Sequence, residues 1–197
     1  MNNHSSDETS EKLLQAAAKV FSAKGYAGTR LEDIALESGY TRGAISFLFQ
    51  NKRNLFHHLA QDFFNDVSKH ITGLMSSPSS PLEKIENLLD YALDIEANYR
   101  KLSVINIALS GEPTDLSELP TVFKENHLAT LDLISNTISA RVQCDTSKSD
   151  VDPEFAAKAI FTFCRGLYGD IGHFSGHLSN ENIKRNSKEL LLSYIKS

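Results

Sequence analysis

Side chains that can bind nucleic acid lie close together between residues 29 and 52. Thr29 and Thr41 each precede a short helical pattern, and Arg42 follows at the start of the second pattern. A guanidinium group can contact a guanine edge or a phosphate, and the amides at a helix N-terminus can hold a phosphate. Lys52 opens the next helical segment, where a positive charge is disfavoured unless an anion lies nearby. A DNA phosphate would supply that anion.

Two short helices joined by a glycine turn must position these groups. We expect Thr29 to cap a helix that runs to Ser38, with Glu32 completing a capping box. Gly39 ends this helix, and Thr41 caps the next one. Two helices joined by such a turn form a helix-turn-helix, whose second helix enters the major groove of DNA.

The second of these helices has two different faces. Ala44, Ile45 and Leu48 are apolar and suit the interior, whereas Arg42, Gly43, Ser46 and Phe47 lie toward the other side. Phe47 leaves two interpretations open, because it can contact a thymine methyl group or sugar, or it can pack inside the protein.

The charge distribution singles out the same region. The net charge of the 197-residue chain is -5, yet residues 12–53 carry seven basic and three acidic side chains. Residues 54–197 carry 13 basic and 19 acidic side chains. A basic region on an acidic chain confines the attraction for phosphate to one surface, as a site-specific DNA-binding protein requires.

Apolar residues recur at spacings of three and four along nearly the whole chain, so the sequence predicts an all-α protein of about nine helices. We divide it into an N-terminal DNA-binding domain, residues 1–54, and a helical effector-binding and dimerisation domain, residues 55–197. The first helix is expected to begin after Thr9 or Ser10 and to end at Gly25. A later helix is expected over residues 82–97, with the two last helices starting near Pro153 and Glu181.

Several classes of protein lack support in the sequence. There is no Gly-x-Ser-x-Gly elbow, glycine-rich phosphate loop or His-Glu-x-x-His pattern, so we do not expect an enzyme or a cofactor. The apolar runs are too short for a membrane span, and the polar N-terminus lacks a signal region, which favours the cytoplasm. The pairs His57/His58 and His173/His177 lack matching carboxylate or thiolate ligands, so no metal site is expected.

The segment from Leu13 to Phe56 resembles the N-terminal DNA-binding domain of TetR-type transcriptional repressors, and of AcrR-like efflux regulators in particular. The residues that carry the resemblance keep the family's order and spacing. They are Ala17, Phe21, Gly25, Tyr26, Thr29, Ile34, Ala35, Gly39, Thr41, Arg42, Gly43, Ala44, Ile45, Phe49, Asn51, Lys52 and Leu55.

The chain also departs from the family pattern. Ser46 stands where the family commonly has a tyrosine that contacts the DNA backbone, and Gln50 replaces a frequent lysine. Thr41, Arg42 and Lys52 match directly. Motif and resemblance together give a predicted set of DNA-binding residues: Thr29, Arg30, Thr41, Arg42, Gly43, Ser46, Phe47 and Lys52.

The resemblance implies a homodimer that occupies a palindromic operator in double-stranded DNA and is released by a small-molecule effector bound in the C-terminal domain. Aromatic and polar residues of that domain are candidates to line a cavity for a lipophilic effector: Tyr91, Tyr99, Phe123, His127, Phe163 and Tyr168. The last two long helices would form the dimer interface. Glycines at positions 166, 169 and 172 would allow close helix packing there, with Phe161, Leu167, Ile171, Phe174 and Leu191 as candidate contacts.

Two alternatives keep the DNA-binding function but change its control. Cys144 and Cys164 are too few for a disulfide framework or a zinc site, but either could respond to oxidation. A protein partner docking on the C-terminal domain is the other alternative to a small-molecule effector.

Overall fold

The computed structural model describes residues 3–110, 114–144, 150–171 and 181–196, and all regular structure within these ranges is helical. The predicted all-α class is confirmed. The described part of the chain contains nine α-helices: α1 (Asn3–Gly28), α2 (Leu31–Ser38), α3 (Arg42–Phe49), α4 (Lys52–Met75), α5 (Pro81–Ala92), α6 (Ile95–Ser110), α7 (Leu119–Cys144), α8 (Pro153–Ile171) and α9 (Glu181–Lys196). A 3-10 turn, Thr114–Leu116, precedes α7. None of these helices combines the length and the apolar character needed to cross a bilayer.

The chain forms two compact units. The first comprises Met1–Phe64 together with Arg100–Val122, and the second comprises Asn65–Tyr99 together with Phe123–Ser197. The first unit contains the basic region identified in the sequence.

The core of the first unit forms because the apolar faces of α1 to α4 meet. Phe21 of α1 and Phe56 of α4 are fully buried, and their rings meet edge to face with centroids 5.0 Å apart. Each large apolar side chain buried in this way stabilises the fold by roughly 1.5–3 kcal/mol. The other buried residues from these four helices include Leu13, Ala17, Ile34, Ile45, Phe49, Leu55 and Leu59. This core fixes α2 and α3 against α1 and α4.

The first helix is longer than the sequence predicted. It begins at Asn3 rather than after Thr9, and Lys12 bonds Glu8 one turn earlier at 2.8 Å, a pair that favours the additional helical turns. The predicted break at Gly25 is confirmed, because Gly25 adopts φ 67° and interrupts the helical backbone. This left-handed conformation favours glycine.

The predicted helix over residues 82–97 is also corrected. α5 ends at Ala92, where the Leu93 amide donates to the Leu89 carbonyl, and α6 begins at Ile95. The buried Asn98 side chain donates to the Tyr91 carbonyl at 2.8 Å. The same carbonyl accepts from the Asp94 amide at 3.3 Å, so the two bonds together hold the turn between α5 and α6.

In the second unit, ion pairs accompany the packing of α5 against α9. Lys188 bonds both carboxylate oxygens of Asp90 at 2.8 Å, and Lys196 bonds Glu86 at 3.0 Å. Ile85 and Leu89 of α5 and Leu192 of α9 are buried. The apolar residues supply most of the stability here, because partly exposed ion pairs contribute little.

Tyr26 is the residue at which separate segments of the first unit meet. Its ring lies 5.1 Å from Phe56 and its hydroxyl donates to Asp115 at 2.7 Å, 89 residues away in sequence. Burial and this hydrogen bond raise the pKa of Tyr26, so the phenol stays protonated and remains the donor.

We expect Tyr26→Phe to lower the free energy of unfolding by about 1–2 kcal/mol, because it removes a hydrogen bond to a charged acceptor and keeps the aromatic packing. Denaturant titration measures the change. In an Asp115→Ala background the same substitution should cost much less. An equal cost in both backgrounds would contradict the assignment.

Candidate nucleic-acid interface

Local sequence signals set the angle between α2 and α3. Gly39 ends α2 in the left-handed region at φ 74°, and the Thr41 hydroxyl accepts a bond from the Ala44 amide at 3.1 Å to cap α3. Both predictions are confirmed. The Ala44 amide therefore has a hydrogen-bond partner. The residues at the start of α3 lie at the protein surface.

The start of α2 differs from the prediction that Thr29 caps it. The N-cap residue is Arg30, whose backbone amide donates to the Asp33 carboxylate at 2.9 Å. Thr29 is buried and its hydroxyl donates to the Gly25 carbonyl at 2.7 Å. The capping box predicted for Thr29 and Glu32 was wrong, because the Thr29 hydroxyl bonds Gly25 and the Asp33 carboxylate accepts from the Arg30 amide instead. Thr29 anchors the start of α2, and the Arg30 side chain is exposed.

The outer face of α3 carries side chains that the fold does not use. Ile45 and Phe49 are buried, whereas 87% of the Phe47 side chain is exposed, which excludes the internal packing considered for it. Arg42 and Gly43 are also exposed, and Ser46 is half-buried. An exposed phenylalanine in the middle of α3 is available to a thymine methyl group.

Gly43 is not required by the fold. A Cβ atom added there would meet only the Thr41 hydroxyl oxygen, at an ordinary 3.6 Å, and its backbone φ is not in the left-handed region. A glycine without an internal reason, on an exposed helix start, permits close approach of another molecule's backbone.

Arg42 has a partner on the preceding helix. Its Nη1 atom lies 3.2 Å from a carboxylate oxygen of Glu32, and both side chains are mostly exposed. The ion pair joins the starts of α2 and α3. It places an acidic group beside the arginine that the sequence assigns to DNA.

Lys52 is held by the protein itself. Its ammonium group donates to the carbonyls of Tyr26 at 3.0 Å and Thr29 at 3.1 Å, and it lies 4.2 Å from the centre of the Tyr26 ring. These carbonyls and the ring supply the negative partner that the sequence argument assigned to phosphate. A contact between Lys52 and DNA stays a prediction, and the structure gives the residue a positioning role.

Arg53 belongs to the same basic surface and was not selected from the sequence. It is exposed and forms an ion pair with Glu118, which precedes α7. Its position directly after Lys52 was the available signal. The pairing with Glu118 could not be read from spacing because 65 residues separate the two.

The candidate effector residues have different environments. Phe123 is fully buried and Phe163 is half-buried, while the half-buried His127 packs on Phe161 with centroids 4.3 Å apart. Burial, with a smaller effect of the Arg165 charge, lowers the pKa of His127. The side chains of Tyr99 and Tyr168 lie outside the described residues.

Tyr91 differs from the other effector candidates. Its ring stacks on His70 at 3.9 Å, and its buried hydroxyl makes no hydrogen bond to any described residue. Burial and the Asp66 charge raise the pKa of Tyr91 to about 12, so the hydroxyl is a neutral donor. Buried hydroxyl groups normally have partners, which makes this one a candidate ligand contact.

A cleft of about 550 Å³ lies within the first unit, between residues of α1 and α4 and Arg100 of α6. None of the candidate effector residues lines it. Among the described residues, no three His, Cys, Asp or Glu side chains gather as metal ligands.

The candidate dimer contacts are only partly described. Phe161, Leu167 and Leu191 are half-buried. Gly166 and Gly169 lie in α8, whereas the Ile171 side chain, Gly172, Phe174 and the pair His173/His177 lie outside the described residues. The same helices expose apolar side chains that the sequence did not select, Phe155 at 58% and Leu190 at 60%.

Comparisons with known proteins agree with this geometry. The family model described as "Bacterial regulatory proteins, tetR family" matches residues 13–59. The transcriptional regulator TtgR of Pseudomonas putida is 29% identical over 168 residues, covering 81% of this chain and 78% of TtgR. YttP of Bacillus subtilis is 30% identical over 97 residues, and the match spans about half the length of that protein, 47%.

A solved structure shares the whole fold. The regulator FadR of Bacillus subtilis, determined with stearoyl-CoA, superimposes with a TM-score of 0.71 at 16% identity, covering 93% of this chain and 98% of FadR. Fold and interface define a helix-turn-helix, DNA-binding transcriptional regulator rather than an enzyme. Residues 13–59 of this chain match the TetR-family model, and over most of its length the chain is similar to helix-turn-helix transcriptional regulators.

We expect Thr41→Ala to lower the free energy of unfolding by about 1 kcal/mol, because the Ala44 amide loses its acceptor. It should also weaken DNA binding, since the cap holds the start of α3. Ser80→Ala is the matched control, because Ser80 caps α5 in the other unit through the Glu83 amide at 3.3 Å. Ser80→Ala should lower the free energy of unfolding and leave the affinity for DNA unchanged. Equal DNA affinity for the two variants, measured by fluorescence anisotropy, would limit Thr41 to a structural role.

Proposed function

We propose that the protein is a repressor that binds a palindromic operator as a homodimer and is released by a small lipophilic effector. The observation that carries the DNA-binding part is the outer face of α3, where Arg42, Gly43 and Phe47 are exposed although the fold does not need them there. A cytoplasmic location follows from the DNA target.

Specific recognition divides among these residues by their chemistry. Arg42 can donate two bonds to a guanine, and Phe47 can pack on a thymine methyl group. Gly43 lets the backbone approach a phosphate, and Arg30, Thr41 and Ser46 can hold the DNA backbone beside them. Lys52 and Thr29 keep the starts of α2 and α4 in place through their bonds to carbonyls.

Effector control depends on a ligand that prefers one of two states of the dimer. FadR, which has the same fold, holds stearoyl-CoA, so this fold can accommodate a lipophilic ligand. In this chain, Tyr91 offers a buried hydroxyl donor, and His127 beside Phe161 offers a polar group within apolar surroundings. A near-complete release would require the effector to favour the released state by up to about 5.5 kcal/mol.

The redox alternative receives little support at Cys164. Burial raises the pKa of the Cys164 thiol to about 12, so the reactive thiolate is disfavoured at neutral pH. Cys144 is exposed at the end of α7 and retains that alternative.

We expect Phe47→Ala to weaken operator binding by about 1–2 kcal/mol, because it removes an apolar contact with a base, and to leave the unfolding free energy within roughly 0.5 kcal/mol. The operator is first isolated by selection from random duplexes with the wild-type protein, and affinity is measured by anisotropy at fixed salt.

Leu36→Ala is the matched control for Phe47→Ala. Leu36 lies on α2 and is 86% exposed, so it tests the loss of an equally exposed apolar side chain next to the recognition helix. Its affinity should remain near that of the wild type. If Phe47→Ala binds as tightly as Leu36→Ala, Phe47 does not read the operator.

We expect Leu190→Glu to convert dimers into monomers and to weaken operator binding, because it places a charge on the exposed apolar face of α8 and α9. Sedimentation velocity measures the assembly state. Leu128→Glu on α7 introduces the same charge at a side chain that is 45% exposed and should leave the dimer intact. Dimers of unchanged stability with Leu190→Glu would show that the subunits meet elsewhere.

A further inference from the structure

Glu32 is an acidic side chain on a surface that must face phosphates. It lies in the first turn of α2, is mostly exposed, and sits 3.2 Å from Arg42. Its stability contribution is small, since exposed ion pairs contribute little to folding. It also repels the phosphate backbone. An acidic group at this position therefore lowers the overall affinity for DNA, and a role in recognition would account for its presence.

The geometry of the pair suggests how it serves recognition. Glu32 binds the Nη1 atom of Arg42, which leaves the edge formed by Nε and Nη2 available. A guanidinium group has five donors in a fixed plane, so one edge can be held by a carboxylate while the other edge donates two bonds to guanine. Phosphate, in contrast, can bind a guanidinium from many directions.

We propose that Glu32 is a specificity-determining positioning residue: it orients Arg42 toward a guanine edge and penalises binding to phosphate alone. This inference rests on the proposed function. Glu32 keeps the arginine fixed when the base contact forms, and it competes with phosphate when the base is wrong. Its effect is a larger ratio between operator and non-operator affinity, at the expense of total affinity for DNA.

The test compares Glu32→Gln with Glu37→Gln. Both changes remove one negative charge from α2, and Glu37 forms an ion pair of its own with Lys19 at 2.6 Å on α1. Affinities are measured for the selected operator duplex and for a scrambled duplex of equal composition, over a range of salt concentrations. Thermal unfolding of each variant checks that the fold is intact.

We expect Glu32→Gln to raise the affinity for the scrambled duplex by roughly threefold to tenfold and to steepen its salt dependence by about one ion. The affinity for the operator should rise less or fall, so the specificity ratio decreases. Glu37→Gln should leave that ratio unchanged. Equal ratios for the two variants would overturn the inference, because net charge alone would then explain any change.

A second measurement separates positioning from general repulsion. In an Arg42→Ala background, Glu32→Gln should no longer change the specificity ratio, because the group it orients is absent. A decrease of the same size in that background would also overturn the inference. If the wild-type protein selects no duplex at all, the proposed function fails instead, and the two failures are therefore distinguishable.

Discussion

The Lys52 ammonium group bonds the carbonyls of Tyr26 and Thr29 and lies over the Tyr26 ring, and the geometry of the candidate DNA-binding surface depends on this interaction. The two carbonyls lie where α1 ends and before α2 begins, while Lys52 itself starts α4. A single charged group thus joins the ends of three helices. Burying part of an ammonium group without hydrogen-bond acceptors would cost free energy. The segment between Tyr26 and Thr29 is therefore held in the conformation that supplies these acceptors.

The position of α3 depends on this junction. Thr29 is fixed by its bond to the Gly25 carbonyl, so Arg30 becomes the N-cap and α2 begins at Leu31. The apolar side of α2 and α3 then meets the core through Ile34 and Ile45, which are fully buried. Because the inner side is filled, the outer side chains of α3 are left to solvent. The exposure of Phe47 is thus a consequence of packing.

Predictions from the sequence held where the cause was local. The left-handed Gly39, the Thr41 cap and the break at Gly25 depend on residues within a few positions, and all three were confirmed. Predictions failed or were incomplete where a group's partner came from elsewhere in the fold. Lys52 was assigned to phosphate, yet its ammonium group bonds the carbonyls of Tyr26 and Thr29, and Glu32 pairs with Arg42 of the next helix. The effector candidates were chosen from residue type and apolar periodicity. These signals do not distinguish a fully buried core residue such as Phe123 from a residue that lines a cavity.

Under the proposed function, the ion pairs would make a basic surface selective among duplexes. Arg42 and Arg53 are exposed cations of the first unit, and each pairs with a carboxylate, Glu32 or Glu118. An unpaired arginine would bind any phosphate at a strength that falls steeply with salt. When a carboxylate is already bound, DNA must offer more than a phosphate to engage the arginine, and a guanine edge does so with two directed bonds. In the proposed function, the acidic residues of this surface would therefore restrict which duplexes the basic residues can hold.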